Sequence, residues 1–242
     1  MYFYYNRKIF LAFLYIFSTS VQAVSVPAWI CTKLLGSEPA PEVLPFITEA
    51  RTIYGIKNST RPVNYITASS WLSHFSSFTW FGTWVDKKFW TEASSEQKKW
   101  TAFHEIAHEK LHHPEKIITA MATTGAALYW LSTYAAQQMA FTALKGFVYG
   151  MGIGAFAFLS QFYLRICEQN ADCLSTKTLL NTGYIDIVTK HLEILKNAAA
   201  KGKNTDICFP ALADQIHYLE YILAQWELSQ HQRHENNKTQ KA

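Results

Sequence analysis

Charge nearly vanishes from one long stretch of this sequence. Between Lys116 and Arg165 the only charged residue is Lys145, and the stretch divides into two apolar runs, 117–136 and 141–164, each long enough to cross a bilayer. We read residues 117–164 as a membrane helical hairpin contacting lipid. Thr123, Thr124, Ser132, Gln137 and Gln138 keep a buried or interfacial hairpin of a soluble protein as the alternative. A basic stripe interleaved with aromatic side chains is also lacking, and the formal net charge is only +4, so nucleic acid is not an expected partner. Cysteine is sparse. Cys31, Cys167, Cys173 and Cys208 include no Cys-x-x-Cys pair, which argues against a thiolate metal site, and their spacing defines no disulfide framework. Cys167 and Cys173 are six apart, so on one helix they point to different faces and do not bridge each other.

What the sequence does contain is a metal-binding pattern. His104-Glu105-Ile106-Ala107-His108 lies in a stretch of helical periodicity. One turn of helix separates the two histidines, so both imidazoles leave the same face and can share one ion, with Glu105 placed to act as a base toward a water there. The metzincin subclass is excluded, because Leu111 and Pro114 stand where it needs glycine and histidine, and His112 and His113 are out of register. The third ligand comes from sixty residues downstream, where Glu168 and Asp172 are one helical turn apart. Glu168 completes a His₂Glu set for one Zn²⁺ per chain, and a carboxylate third ligand leaves the fourth position open, as in catalytic sites. Asp172, on the same face, can accept the free ring N–H of a zinc histidine and fix its tautomer. A hairpin between the motifs suits this chemistry, because two crossings return the chain to the side it left.

These two motifs, His104-Glu105-Ile-Ala-His108 and Glu168-Gln-Asn-Ala-Asp172, separated by an apolar insert, resemble those of the M48-type gluzincin metallopeptidases, the HtpX/Ste24/Oma1-like group. The likeness spans roughly residues 45–220. It implies an α+β, mainly α, gluzincin-like zinc peptidase domain with a small β-sheet and the inserted apolar hairpin. It also implies an edge strand beside the zinc helix that takes extended substrate by strand addition, which places the groove at Phe78 to Trp84. In one respect the sequence departs from the group. The group commonly has a His-Pro pair with an arginine five residues after the proline, thought to stabilise the oxyanion, and here the stretch reads Phe209-Pro210 with Gln215. His217 and Tyr218 are the candidate substitutes.

The amino terminus reads as an export signal. Arg7 and Lys8 precede the apolar run 9–17, and Val21-Gln22-Ala23 fits a signal-peptidase site, with an uncleaved anchor as the alternative. Residues 24–45, with three prolines after Glu38, form a linker, and Phe46 to Tyr54 a short helix. Val63 to Thr67, Phe78 to Val85 and Lys88 to Thr91 are rich in β-branched and aromatic residues and predict strands. Ser94 or Ser95 caps the zinc helix, Glu96 favours its amino terminus, and Pro114 ends or kinks it, leaving His112 and His113 at an exposed end. Gly146, Gly150 and Gly154, four apart, form a face on which two helices approach closely. Helices over 174–199 and 210–230 complete a domain spanning 46–230, and the polar segment 231–242 predicts a disordered tail.

Together these features predict a membrane-associated zinc metalloendopeptidase acting on a protein or peptide substrate, with protein quality control as the role the resemblance implies. The alternative is a catalytically inactive relative that keeps the zinc fold and acts as chaperone, adaptor or assembly factor. An export signal places the zinc site on the extracytoplasmic side, whereas Lys110, Lys116 and Arg165 against Lys145 favour the cytoplasmic face.

Overall fold

The structure is a computed structural model that describes residues 38–57, 59, 61–66, 77–80, 82–202 and 211–239. The segment 1–23 expected to be an export signal, most of the expected linker, Cys31, Cys208 and Phe209-Pro210 lie outside the described residues. The described chain is mainly helical with one small sheet. In chain order the elements are α1 (Leu44–Ile53), β1 (Val63–Tyr65), β2 (Ser77–Trp80), β3 (Gly82–Val85), α2 (Lys87–Glu92), α3 (Ser95–Lys110), α4 (His113–Gln137), α5 (Thr142–Asn181), α6 (Ile185–Ala200) and α7 (Leu212–Thr239).

The sheet has the order β1-β3-β2, with β1 parallel and β2 antiparallel to β3. The aromatic stretch expected to form one strand over 78–85 is therefore two, β2 and β3. Gly82 permits a close approach there: a Cβ would lie 2.7 Å from the Trp84 ring and 2.9 Å from the Pro62 carbonyl oxygen. Among the described residues β2 is an edge strand, and it lies beside α3.

The third expected strand, Lys88 to Thr91, is helical instead. Asp86 caps it, its carboxylate accepting from the Phe89 N–H at 2.6 Å, and this local bond outweighs the strand preference of Phe89, Trp90 and Thr91. Helix α3 starts on a full capping box: the Ser94 hydroxyl accepts from the Gln97 N–H, and the Gln97 side chain accepts from the Ser94 N–H. Its apolar face, Trp100, Phe103, Ile106 and Ala107, enters a core shared with Val43, Ile47 and Ala50 near α1, Ala171, Leu179 and Leu180 of α5, and Val188 and Leu192 of α6. One face of α3 is thereby fixed in the core, which leaves His104 and His108 directed toward α5.

After α3 the chain breaks at His112, a left-handed residue with φ of 55°, and α4 begins at His113 with Pro114 in its first turn, where the missing N–H costs nothing. α4 and α5 form the expected hairpin. Its arms approach closely at Gly152, where a Cβ would lie 2.3 Å from the Ser132 hydroxyl, and Gly125 faces Phe156. Gly146, Gly150 and Gly154 do not make this crossing; nothing lies within 4 Å of where their side chains would start. α5 continues for 40 residues, about 60 Å at the helical rise, and so carries Glu168 and Asp172 back to α3. Among the described residues α5 alone is long and apolar enough to cross a membrane, so the run 117–136 in α4 does not give the second span expected of it.

The helix expected over 174–199 is broken. Gly183, with φ of 86°, ends α5, and the Tyr184 N–H donates to the Leu179 carbonyl before α6 starts. At the other end of the chain, α7 does not stop at Gln230 but runs to Thr239. Propagation is cheap once a helix is nucleated, and the Gln, Glu and Arg residues there are good helix formers.

Candidate metal centre

Three elements build the site: α3 supplies His104, Glu105 and His108, α5 supplies Glu168 and Asp172, and the start of α4 supplies His113. The i, i+4 spacing puts both histidines on one face of α3, with Nε2 atoms 3.1 Å apart. Glu168 reaches both, at 3.2 Å from His104 Nε2 and 3.6 Å from His108 Nε2. The ligand atoms of His104, His108 and Glu168 all lie within 4.8 Å of one another. Two imidazoles and one carboxylate converging in this way can hold a metal ion, and the donor set suits a divalent transition metal. Glu105, the next residue on α3, is buried.

Asp172 takes the position expected of it. Its carboxylate is 2.8 Å from His104 Nδ1, the ring nitrogen on the far side from Glu168. Burial pushes the His104 imidazole down, but the hydrogen bonds to Asp172 and Glu168 and their negative charges outweigh it, holding its pKa well above the ordinary value. Glu168 behaves in the opposite sense. Burial pushes its carboxyl up, and the two histidines more than reverse this, leaving it well below the usual carboxylate range.

The placement of His113 differs from the sequence expectation. His112 is exposed as expected, but His113 is only 3% exposed, and its Nδ1 lies 2.9 Å from His108 Nδ1. The left-handed turn at His112 swings the next residue inward, and periodicity carries no trace of such a turn. Burial holds the His113 imidazole down at about 3, so the ring is neutral.

Of the two candidate oxyanion stabilisers, His217 is exposed, whereas Tyr218 is half-buried and bonds with the Cys173 thiol near Asp172. Burial, the Cys173 contact and the Asp172 charge raise its phenol, which stays a proton donor. Cys167 and Cys173 are both free. His191, not singled out by sequence, stacks on Trp100 one turn before His104, the rings 3.8 Å apart.

The next residue after His108 ties α3 to the rest of the domain. Buried Glu109 accepts from Arg51 at 2.9 Å and from the Ser59 hydroxyl at 2.6 Å, while Arg61 pairs with Glu115 at the start of α4. This network fixes the end of α3 that carries His108.

No protein family, curated protein or solved structure matches the chain.

Proposed function

We propose that this protein is a zinc-dependent metalloendopeptidase of the M48-type gluzincin kind, held at a membrane by the α4–α5 hairpin. One observation carries the reading: a Glu and two His from opposite sides of a long apolar insert meet with their ligand atoms within 4.8 Å, and an aspartate lies behind one of the histidines. Accidental polar packing does not require that order of donors. His104, His108 and Glu168 would hold the ion, and zinc at such a site supplies Lewis-acid polarisation of a carbonyl and a more acidic water.

The remaining work belongs to the chain. Glu105 takes the proton of the attacking water and returns it to the leaving amine. Asp172 holds the His104 ring in the tautomer that leaves Nε2 free. Tyr218 is the better placed of the two oxyanion candidates, because His217 faces solvent. β2, at the sheet edge beside α3, offers its backbone to an extended polypeptide by strand addition. Exposed Phe141 at the cap of α5, and Phe147, Met151, Ile153 and Phe158 on it, meet lipid. On this reading the amino-terminal segment acts as an export signal, which would put the zinc site on the extracytoplasmic face.

One observation favours a second reading. Gln215 replaces the arginine of the resembling group, so a zinc-binding but inactive chaperone or adaptor is the competing function. The two separate on purified full-length protein given unfolded casein. Peptidase function predicts cleavage by the parent and a loss of about 10²–10⁴-fold in Glu105→Gln with zinc retained. Equal cleavage by both would remove Glu105 from its role, and no cleavage by either, with zinc bound, would support the inactive relative.

A further inference from the structure

His113 is a buried imidazole that the proposed chemistry leaves without a task. Its position is specific. The two ligand histidines turn their Nε2 atoms toward Glu168, so each has its Nδ1 on the outer side. His104 Nδ1 meets Asp172, and His108 Nδ1 meets His113 Nδ1 at 2.9 Å. His113 therefore stands behind the ligand cluster and cannot join it as a further ligand to the same ion.

The hydrogen bond has a direction once the metal site is granted. A histidine that ligates through Nε2 must keep its proton on Nδ1, and that N–H needs an acceptor when buried. Among the described residues, the group that meets it is the His113 ring nitrogen. We propose that His113 is a positioning residue for the metal site: its Nδ1 accepts the His108 Nδ1–H, fixing the tautomer and ring orientation that leave His108 Nε2 free for the ion. This inference rests on the metal-site reading above. His113 in turn carries its own proton on Nε2. The two ligands are thus backed unequally, His104 by a carboxylate and His108 by a neutral ring. The residue that orients His108 is also the first residue of the hairpin, so the left-handed turn at His112 sets the ligand geometry.

The test uses the full-length protein in detergent and three substitutions. His113→Phe fills the space with no acceptor, His113→Met does the same with a more adaptable chain, and His113→Asn restores an acceptor oxygen near the Nδ1 position. Zinc dissociation constants come from chelator competition, Co²⁺ absorption spectra report the ligand geometry, and melting of the metal-free protein reports folding. We expect His113→Phe and His113→Met to bind zinc about 10–100-fold more weakly with an altered cobalt spectrum, and His113→Asn to recover most of the affinity. Should His113→Phe not fold, His113→Met carries the same comparison. Parent-like affinity in the folded apolar variants would overturn the assignment, and so would an equal loss in His113→Asn, since space rather than an acceptor would then matter. If the parent itself binds no metal, the metal-site reading falls, and this inference with it.

Discussion

Around His104 the chain buries charge and answers it, Glu109 with Arg51 and Ser59, His104 with Asp172, while in the hairpin that starts five residues after His108 it turns large apolar side chains outward. Tyr129, Phe141 and Ile153 are 71%, 75% and 71% exposed. The first region is built as a packed, charge-paired core, whereas the second bares an apolar surface, part of it on α5, the helix long and apolar enough to cross a membrane. The difference explains how one chain carries both: α5 is a single helix whose first part is apolar and open, and whose last part supplies Glu168, Asp172 and the core residues Leu179 and Leu180. One continuous helix thus joins the apolar segment to the candidate ligand Glu168.

The largest effect on this contrast should come from the buried charges. Arg51→Ala leaves Glu109 buried without its main cation and should destabilise the fold by about 3–5 kcal/mol, read as a lowered denaturation midpoint. If the midpoint hardly moves, the network is not what anchors the His108 end of α3. On the other region, Met151→Arg places a charge on the outward face of α5 and should cost about 2.5–3.5 kcal/mol of insertion, read as protein lost from the membrane fraction. Retention equal to the parent would mean that this face does not meet lipid.

A smaller effect concerns pH in the metal-free protein. The raised His104 pKa gives stability that is fully present below its ordinary 6.5 and is lost as pH rises through the folded value. The depressed Glu168 pKa gives stability present above its ordinary 4.5 and lost as pH falls toward the folded value. The cluster should therefore stabilise most between these two ordinary values. Asp172→Asn removes one cause of the His104 shift, so the parent's advantage in melting temperature over this variant should shrink as pH climbs above that window. An advantage independent of pH would show that His104 is not held protonated by Asp172.

The contrast was partly legible in the sequence because each region is written in a pattern that depends on few distant contacts. His104 and His108 share a face by helical spacing alone, the gap in charge marks the hairpin, and Glu168 with Asp172 reads as a pair one turn apart. The structure brings these together as expected. What escaped depends on single backbone decisions. Asp86 caps a helix where Phe89, Trp90 and Thr91 suggest a strand, and Gly183 divides what reads as one helix. The left-handed His112 hides His113 from any periodic reading, so the ring that backs His108 looked like an exposed end. Gly146, Gly150 and Gly154 have the spacing of a contact face, but Gly152 supplies the close approach, because the register of two helices is set by all of their side chains.

The metal content of purified full-length protein tests the central claim most directly, measured for the parent beside Glu168→Ala. The account predicts one zinc per parent chain, and little or none in the variant while it remains folded. A parent without zinc, or a variant that keeps a full equivalent, would contradict it.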